Sequence, residues 1–293
     1  MVMTRFHLVV LFFIANLFYA NAQEGWHVEV MPGVAVYRGD LSHGPFSFKS
    51  VGPGVNANVK YDFGDMVVLR AGLGWGMLKG EDNASKKDYL RARNLSFKTM
   101  IAEFSLCAEI NLLDPEAYYA YPYLLTGVGL FRFNPYAYDN NHQKVNLQPL
   151  GTEGQGLPQY PGRHKYSLTQ AFIPFGGGWK YNVKGKYAVS FEMAVRYLFT
   201  DYLDDVSTTY IDPNLFDKYL SDGDAILAKR LADRSYEIAE NGVRPIGSVR
   251  GSPIKDAFYS INIKLGIRLG SGSGSLYNSF SKKKHGCKVQ RYL

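Results

Sequence analysis

Cysteine is almost missing from this chain of 293 residues: Cys107 and Cys287 are its only two. A disulfide framework is therefore excluded as the source of its stability. Long apolar runs are also missing. After Gln23 no segment supplies the ~20 apolar residues of a spanning helix, so a mature chain that crosses a membrane must cross it as strands. Catalytic spacing is equally scarce. His43, His142 and His164 lie near Ser42, Asp40 and Asp139 in sequence, yet nothing sets a nucleophile, a base and an orienting acid in one pattern. The expectation is a protein that is not an enzyme. The stretch YDNN (138–141) lacks the further ligands of a calcium loop and reads as a turn. No helix follows the glycine runs RAGLGWG (70–76) and PFGGGW (174–179), which weakens a nucleotide-binding reading. No metal or cofactor is expected.

Excess charge is absent from the body of the chain despite a formal net charge of +7. One positive charge belongs to Arg5 and five to Lys282, Lys283, Lys284, Lys288 and Arg291, which leaves +1 for everything between. The basic character is that of a tail, and it gives no argument for nucleic-acid binding. The first residues, MVMTRFHLVVLFFIANLFYANAQ, combine Arg5, an apolar stretch from Leu8 to Phe18 and the small-x-small site Ala20-Asn21-Ala22. They predict a signal peptide over residues 1–22, with no Cys after the apolar run to hold a lipid anchor.

What the chain does have is alternation. Aromatics make up 15% and hydrophobic residues 46%, with 22 Tyr and 30 Gly, yet the mean hydropathy is −0.18. That mixture suits strands with one apolar face. Eight stretches read as strands: 26–37, 52–61, 66–79, 95–112, 119–133, 168–181, 187–199 and 256–269. In the fourth, Met100, Ala102, Phe104, Leu106, Ala108 and Ile110 oppose Thr99, Glu103, Ser105, Cys107, Glu109 and Asn111. In the eighth, Ile261, Ile263, Leu265 and Ile267 oppose Asn262, Lys264 and Arg268. The connections alternate in length. DFGD (62–65), DPEAY (114–118) and NVKGK (182–186) are short, whereas 38–51, 80–94, 134–167 and 200–255 are long.

An even strand number with sorted loops is the organisation of an outer-membrane barrel; a soluble sandwich has no reason to sort its loops. The predicted fold is an all-β, eight-stranded antiparallel transmembrane barrel over residues 23–270, followed by a flexible basic periplasmic tail, 271–293. In the last long loop, Pro213 after Asp212 and the spacing of Ile226, Leu227 and Leu231 predict short helices that cover the barrel mouth.

A barrel of eight strands is just wide enough inside to be filled by side chains. The inward set is Glu29, Glu103, Glu109 and Glu192 against Lys60, Arg70, Lys180, Arg196, Lys264 and Arg268. Charges at that depth persist only if paired. Closing the third and fourth strands around residues 66 and 112 brings Arg70 near Glu109; closing the last and first around 269 and 26 brings Glu29 near Lys264 and Arg268. The expectation is a structural network, with a small transport or ion-conducting barrel as the alternative. Cys107 falls on the inward face. The tail could reach it with Cys287, but two free thiols are expected.

One stretch goes beyond generic barrel signals: NLQPLGTEGQGLPQY (146–160), with Gly151, Thr152, Glu153, Gly154, Gln155 and Gly156 at its core. Together with YRGDL (37–41) and ADRSYE (232–237), it resembles a family of Bacteroidetes outer-membrane barrels that includes PorG of the type IX secretion system. The resemblance implies a non-enzymatic barrel embedded in outer-membrane lipid and associated with a periplasmic ring formed by a lipoprotein and its partner. It transfers no catalytic residues. In the loop, the glycines would permit left-handed turns and Glu153 would anchor it over the rim. The tail reads either as a solvated terminus or as a peptide docking on an acidic partner or on lipid A phosphates.

Overall fold

The computed structural model describes residues 25–42, 48–64, 66–115, 117–183, 186–239 and 242–269. The predicted signal peptide, His43, Cys287 and the tail with Lys282, Lys283, Lys284, Lys288 and Arg291 lie outside the described residues. The strands are β1 (Trp26–Arg38), β2 (Val51–Phe63), β3 (Val67–Glu81), β4 (Ser96–Asn111), β5 (Ala120–Arg132), β6 (Tyr136–Tyr138), β7 (Lys144–Asn146), β8 (Thr169–Val183), β9 (Tyr187–Leu198) and β10 (Ala257–Leu269). Eight of them close into an antiparallel barrel: consecutive strands pair, β5 pairs with β8, β3 with β4, and β10 with β1. The seam between β10 and β1 sets Trp26 against Leu269, as expected. The β3–β4 register pairs Val67 with Ile110, one residue from the expected closure.

Two features of the long connections go beyond the sequence expectation. Strands β6 and β7 form a small hairpin inside the third, extending the sheet from β4, and its turn is the YDNN stretch: Asp139 Oδ1 accepts from the backbone N–H of Asn141 and Gln143. A helix, α1 (Asp88–Arg93), lies in the second. The last long connection contains α2 (Asn214–Tyr219) and α3 (Asp222–Ala232), where short helices were expected. Ser221 caps α3 by accepting from Asp224 N, and the Asp212 carboxylate accepts from Asn214 N at 3.0 Å. Leu231 is buried and Leu227 packs against the core, but Ile226 is exposed, because it turns away from the barrel.

Strand parity decides what faces where. Outward residues include Val30, Leu73, Leu106, Val128, Phe175, Phe191, Ile263 and Leu265, all exposed. Around the short-turn end this belt finishes in Trp26, Tyr61, Tyr119, Tyr181 and Tyr187; Trp26 and Tyr61 meet at 5.1 Å, Tyr119 and Tyr181 at 6.4 Å. An apolar exterior with an aromatic girdle is the lipid-facing pattern of membrane barrels. Among the described residues, no helix is long and apolar enough to cross a membrane.

The inside divides in two. At the loop end an aromatic and aliphatic core of Phe97, Phe131, Phe133, Phe172 and Phe258 continues into the loops through Leu203, Phe216, Ala228 and Leu231. At the turn end the lumen is polar. Glycines make room between the two: a Cβ on Gly74 would lie 2.6 Å from Glu103 Cγ, so the β3 backbone must stay bare for the carboxylate beside it.

Candidate functional site

Two arrays of buried polar groups stand out, one in the lumen and one in the loop cap. Glu109, from β4, is the hub of the lumen. Its Oε1 receives Arg70 Nη1 and Lys264 Nζ, each at 3.0 Å, and its Oε2 receives Lys180 Nζ at 2.6 Å and Lys60 Nζ at 3.2 Å. Glu192 Oε2 takes Arg70 Nη1 at 2.7 Å, Lys264 Nζ at 3.1 Å and the Tyr123 hydroxyl at 2.7 Å. Glu29 binds Lys60 at 2.6 Å and Lys264 at 3.4 Å. Nearer the loop end, Arg196 holds Glu103 at 2.9 Å and lies 5.4 Å over the Phe258 ring. Each strand donates these groups from its inward face, and the closed ring brings strands distant in sequence within side-chain reach. Glu109, Glu192 and Lys264 are 0% exposed, so the network fills the lumen across its width.

Arg268 departs from expectation. It turns to Asp62, 3.6 Å away, rather than to Glu29, because Glu29 sits opposite Gly266 and points deeper into the lumen, while Asp62 also takes His27 at 2.6 Å near the turn-end mouth. Below the network, a cavity of about 270 Å³ lies at this mouth, lined by His27, Lys60, Asp62, Lys180, Lys186 and Arg268 among others. Cys107 is buried on the inward face, its Sγ 3.9 Å from Arg70 Nη2.

The cap brings together the three motif stretches. Gly151, Gly154 and Gly156 take φ of +62°, +80° and +84°, the left-handed turns that glycine allows. They fold the chain so that Glu153 points inward, 0% exposed. Its carboxylate accepts from Ser207 N at 2.9 Å, Thr208 N at 3.0 Å and Arg250 Nη1 at 2.9 Å, so it anchors the loop to the last connection rather than to the rim. Thr152 donates to Asp205 at 2.5 Å, and the Gln155 side chain accepts from Glu153 N at 2.9 Å. Arg250 Nε donates to Ala232 O at 3.0 Å, reaching the second motif. Arg93 donates to Arg250 O and, at 3.0 Å, to Asp40 O, while the Tyr37 hydroxyl donates to Asp204 at 2.5 Å, reaching the third. Arg93 is fixed by Asp82 at 2.6 Å.

Acids outnumber bases in this cap. Burial pushes Asp205 up to about 6, against the pull of Arg250; burial also raises Asp40 to about 6, against the Ser252 N–H. Asp204 and Asp256 are held well above the usual carboxylate range, first by burial and then by neighbouring carboxylates. Sequence reasoning missed Arg93, Arg250, Asp204, Asp205 and Asp256. Asp256 stands at the very start of the predicted eighth strand, the other four lie off the alternating strands, and only packing brings them together.

The candidate loop groups that are described stand apart from one another. His142 sits at the exposed turn of the β6–β7 hairpin, and His164 is exposed on the third loop. Asp139 is engaged in that same turn, and Ser42 bonds back to Gly39. Among the described residues, no group of three metal-ligating side chains is placed to hold an ion.

Residues 5–152 match a family model described as a domain of unknown function, DUF6089. No curated protein matches the sequence. Among solved structures, the chain is similar to Neisserial surface protein A, with 10% identity, 84% of this chain and 97% of that chain covered, and a TM-score of 0.41. It is similar to Ail, the attachment invasion locus protein of Yersinia pestis, at 8% identity, with 84% and 100% covered and a TM-score of 0.37. It is also similar to the outer membrane protein OprG from Pseudomonas aeruginosa, at 9% identity, with 85% and 99% covered and a TM-score of 0.37.

Proposed function

The chain belongs to the DUF6089 family, whose model spans just over half of its 293 residues, and on that premise we propose that it is a non-enzymatic outer-membrane barrel. Its work is structural: it anchors or helps assemble the type IX protein secretion system. One observation carries the structural reading. The lumen is crossed by the Glu109 network and its loop end is closed by packed loops, so the surfaces, not the interior, are left to act. The exposed belt supports a lipid environment, and the short turns then face the periplasm, where a ring of a lipoprotein and its partner would be met. The secretion role rests on the resemblance of residues 37–41, 146–160 and 232–237, which converge on Arg93 and Arg250 in the cap.

A small transport or ion-conducting barrel is the second reading, drawing on the cavity at the turn-end mouth. The two separate by experiment. Deleting the gene abolishes export of cargo bearing a C-terminal sorting domain if the protein is a secretion component, and leaves it intact if the protein is a transporter. Steady, ion-selective conductance of the purified barrel in planar bilayers would overturn the structural reading.

A further inference from the structure

Within the eight barrel strands, the outward face carries charge at one end only. Arg38, Lys79, Lys98 and Arg132 all lie toward the long loops, with Glu81 as the single acid among them. Lys79 and Lys98 are directly opposite one another in the β3–β4 ladder, and Met77 and Met100 form the next outward pair toward the belt. Leu78, between the two outward pairs, points into the barrel and is 0% exposed. Two ammonium groups placed opposite each other on one face of a sheet repel. The β6–β7 hairpin adds to the cluster. Lys98 Nζ lies 5.1 Å over the Tyr138 ring, and Lys144 Nζ lies 4.1 Å over the Tyr136 ring.

These cations differ from those of the lumen. Among the described residues, no carboxylate lies within 4.0 Å of Lys79, Lys98, Arg132 or Lys144, whereas Lys60, Arg70, Lys180 and Lys264 are all paired. Glu81, one pair further from the belt, has an interaction of its own. The cluster sits where the apolar exterior gives way to the loops, with Trp75 exposed below it and Tyr138 exposed beside it. A ligand that suits this position has acyl chains to lie on the belt, a sugar to lie on an aromatic ring and a phosphate to separate the two lysines.

We propose that Lys79, Lys98 and Lys144, with the exposed Tyr138, bind the phosphorylated glucosamine head of a lipid A-type glycolipid on the outside of the barrel. The proposal rests on the outer-membrane reading, in which the loop end lies in the outer leaflet. Neutralising the repulsion between Lys79 and Lys98 would then tie the β3–β4 edge and the hairpin to the surrounding lipid.

The test uses the full barrel in phosphatidylcholine nanodiscs, with bound lipid counted by native mass spectrometry as lipid A, dephosphorylated lipid A or phosphatidylglycerol is added. Wild type should retain lipid A about tenfold more tightly than the Lys79→Gln/Lys98→Gln double variant, and dephosphorylated lipid A should not distinguish them. Equal retention by the variant would overturn the proposal. So would phosphatidylglycerol matching lipid A on the wild type. Insertion is scored separately by protease protection: a chain that inserts but shows no lipid A preference removes this proposal alone, and one that does not insert removes the membrane reading beneath it.

Discussion

The two halves of the barrel interior solve one problem in opposite ways. At the turn end, three carboxylates, Glu29, Glu109 and Glu192, are interleaved with Lys60, Arg70, Lys180 and Lys264. At the loop end, rings fill the space: Phe131 stacks on Phe133 at 5.2 Å and meets Phe172 edge-on at 6.0 Å. The difference follows from what each half must close against. A packed loop cap offers apolar side chains, so a continuous apolar core can run from strand to loop. The turn end has only short connections, and its inward groups must satisfy one another. Buried ion pairs of this kind give little net stability, but they are costly to break singly.

That contrast can be broken from either side. The largest effect should come from Glu109→Gln, which leaves four lumen cations around a neutral amide. We expect a loss of about 3 to 5 kcal/mol, read as a lower urea midpoint for the barrel in detergent, whereas an unchanged midpoint would show the network to be slack. On the outside of the barrel, Ile263→Arg puts a charge on the belt beside inward Lys264. At the bilayer midplane this should cost about 2 to 4 kcal/mol, measured as reduced insertion into lipid vesicles; normal insertion would mean that Ile263 does not face lipid.

In the loop half, Leu231→Ala should cost about 2 kcal/mol, the low end for a buried leucine, because the cap can settle around the gap. Its signature is faster proteolysis of the 199–256 connection with the strands still protected, and cleavage spreading into the strands would argue that cap and barrel unfold together. The smallest effect is that of pH. Asp40 and Asp205 have folded pKa values raised to about 6, so the folded cap holds protons that the opened loops release. The stability they contribute is complete below the unfolded carboxylate pKa near 4 and is lost as pH rises through about 6. Hydrogen exchange in the 199–256 connection, corrected for its intrinsic pH dependence, should therefore show more protection at pH 5 than at pH 8. The reverse order would mean that Arg250 and Arg93 outweigh burial.

Alternation made the barrel legible. Each strand carries its own record of which face is apolar, and the lengths of the connections sort themselves without reference to the rest of the chain. Arg70 and Glu109 could be paired on paper because hairpin neighbours have nearly fixed registers. Glu109 as the hub of four cations could not, since Lys60, Lys180 and Lys264 come from strands that meet only across the lumen. The same limit hid the cap. Arg250 lies 97 residues from Glu153 and has no periodic context, so nothing local announced their contact.

The sequence by itself determined the number of barrel strands, their outward and inward faces and the ends at which loops gather, because all three follow from a period of two and from turn chemistry. Only the tertiary structure decided which charges share a partner, that Arg268 turns to Asp62, and that three distant motifs meet on Arg93 and Arg250. The reason is physical. Facing direction is a local property of backbone geometry, whereas neutralising a buried charge requires groups from strands and loops that become neighbours only when the ring closes.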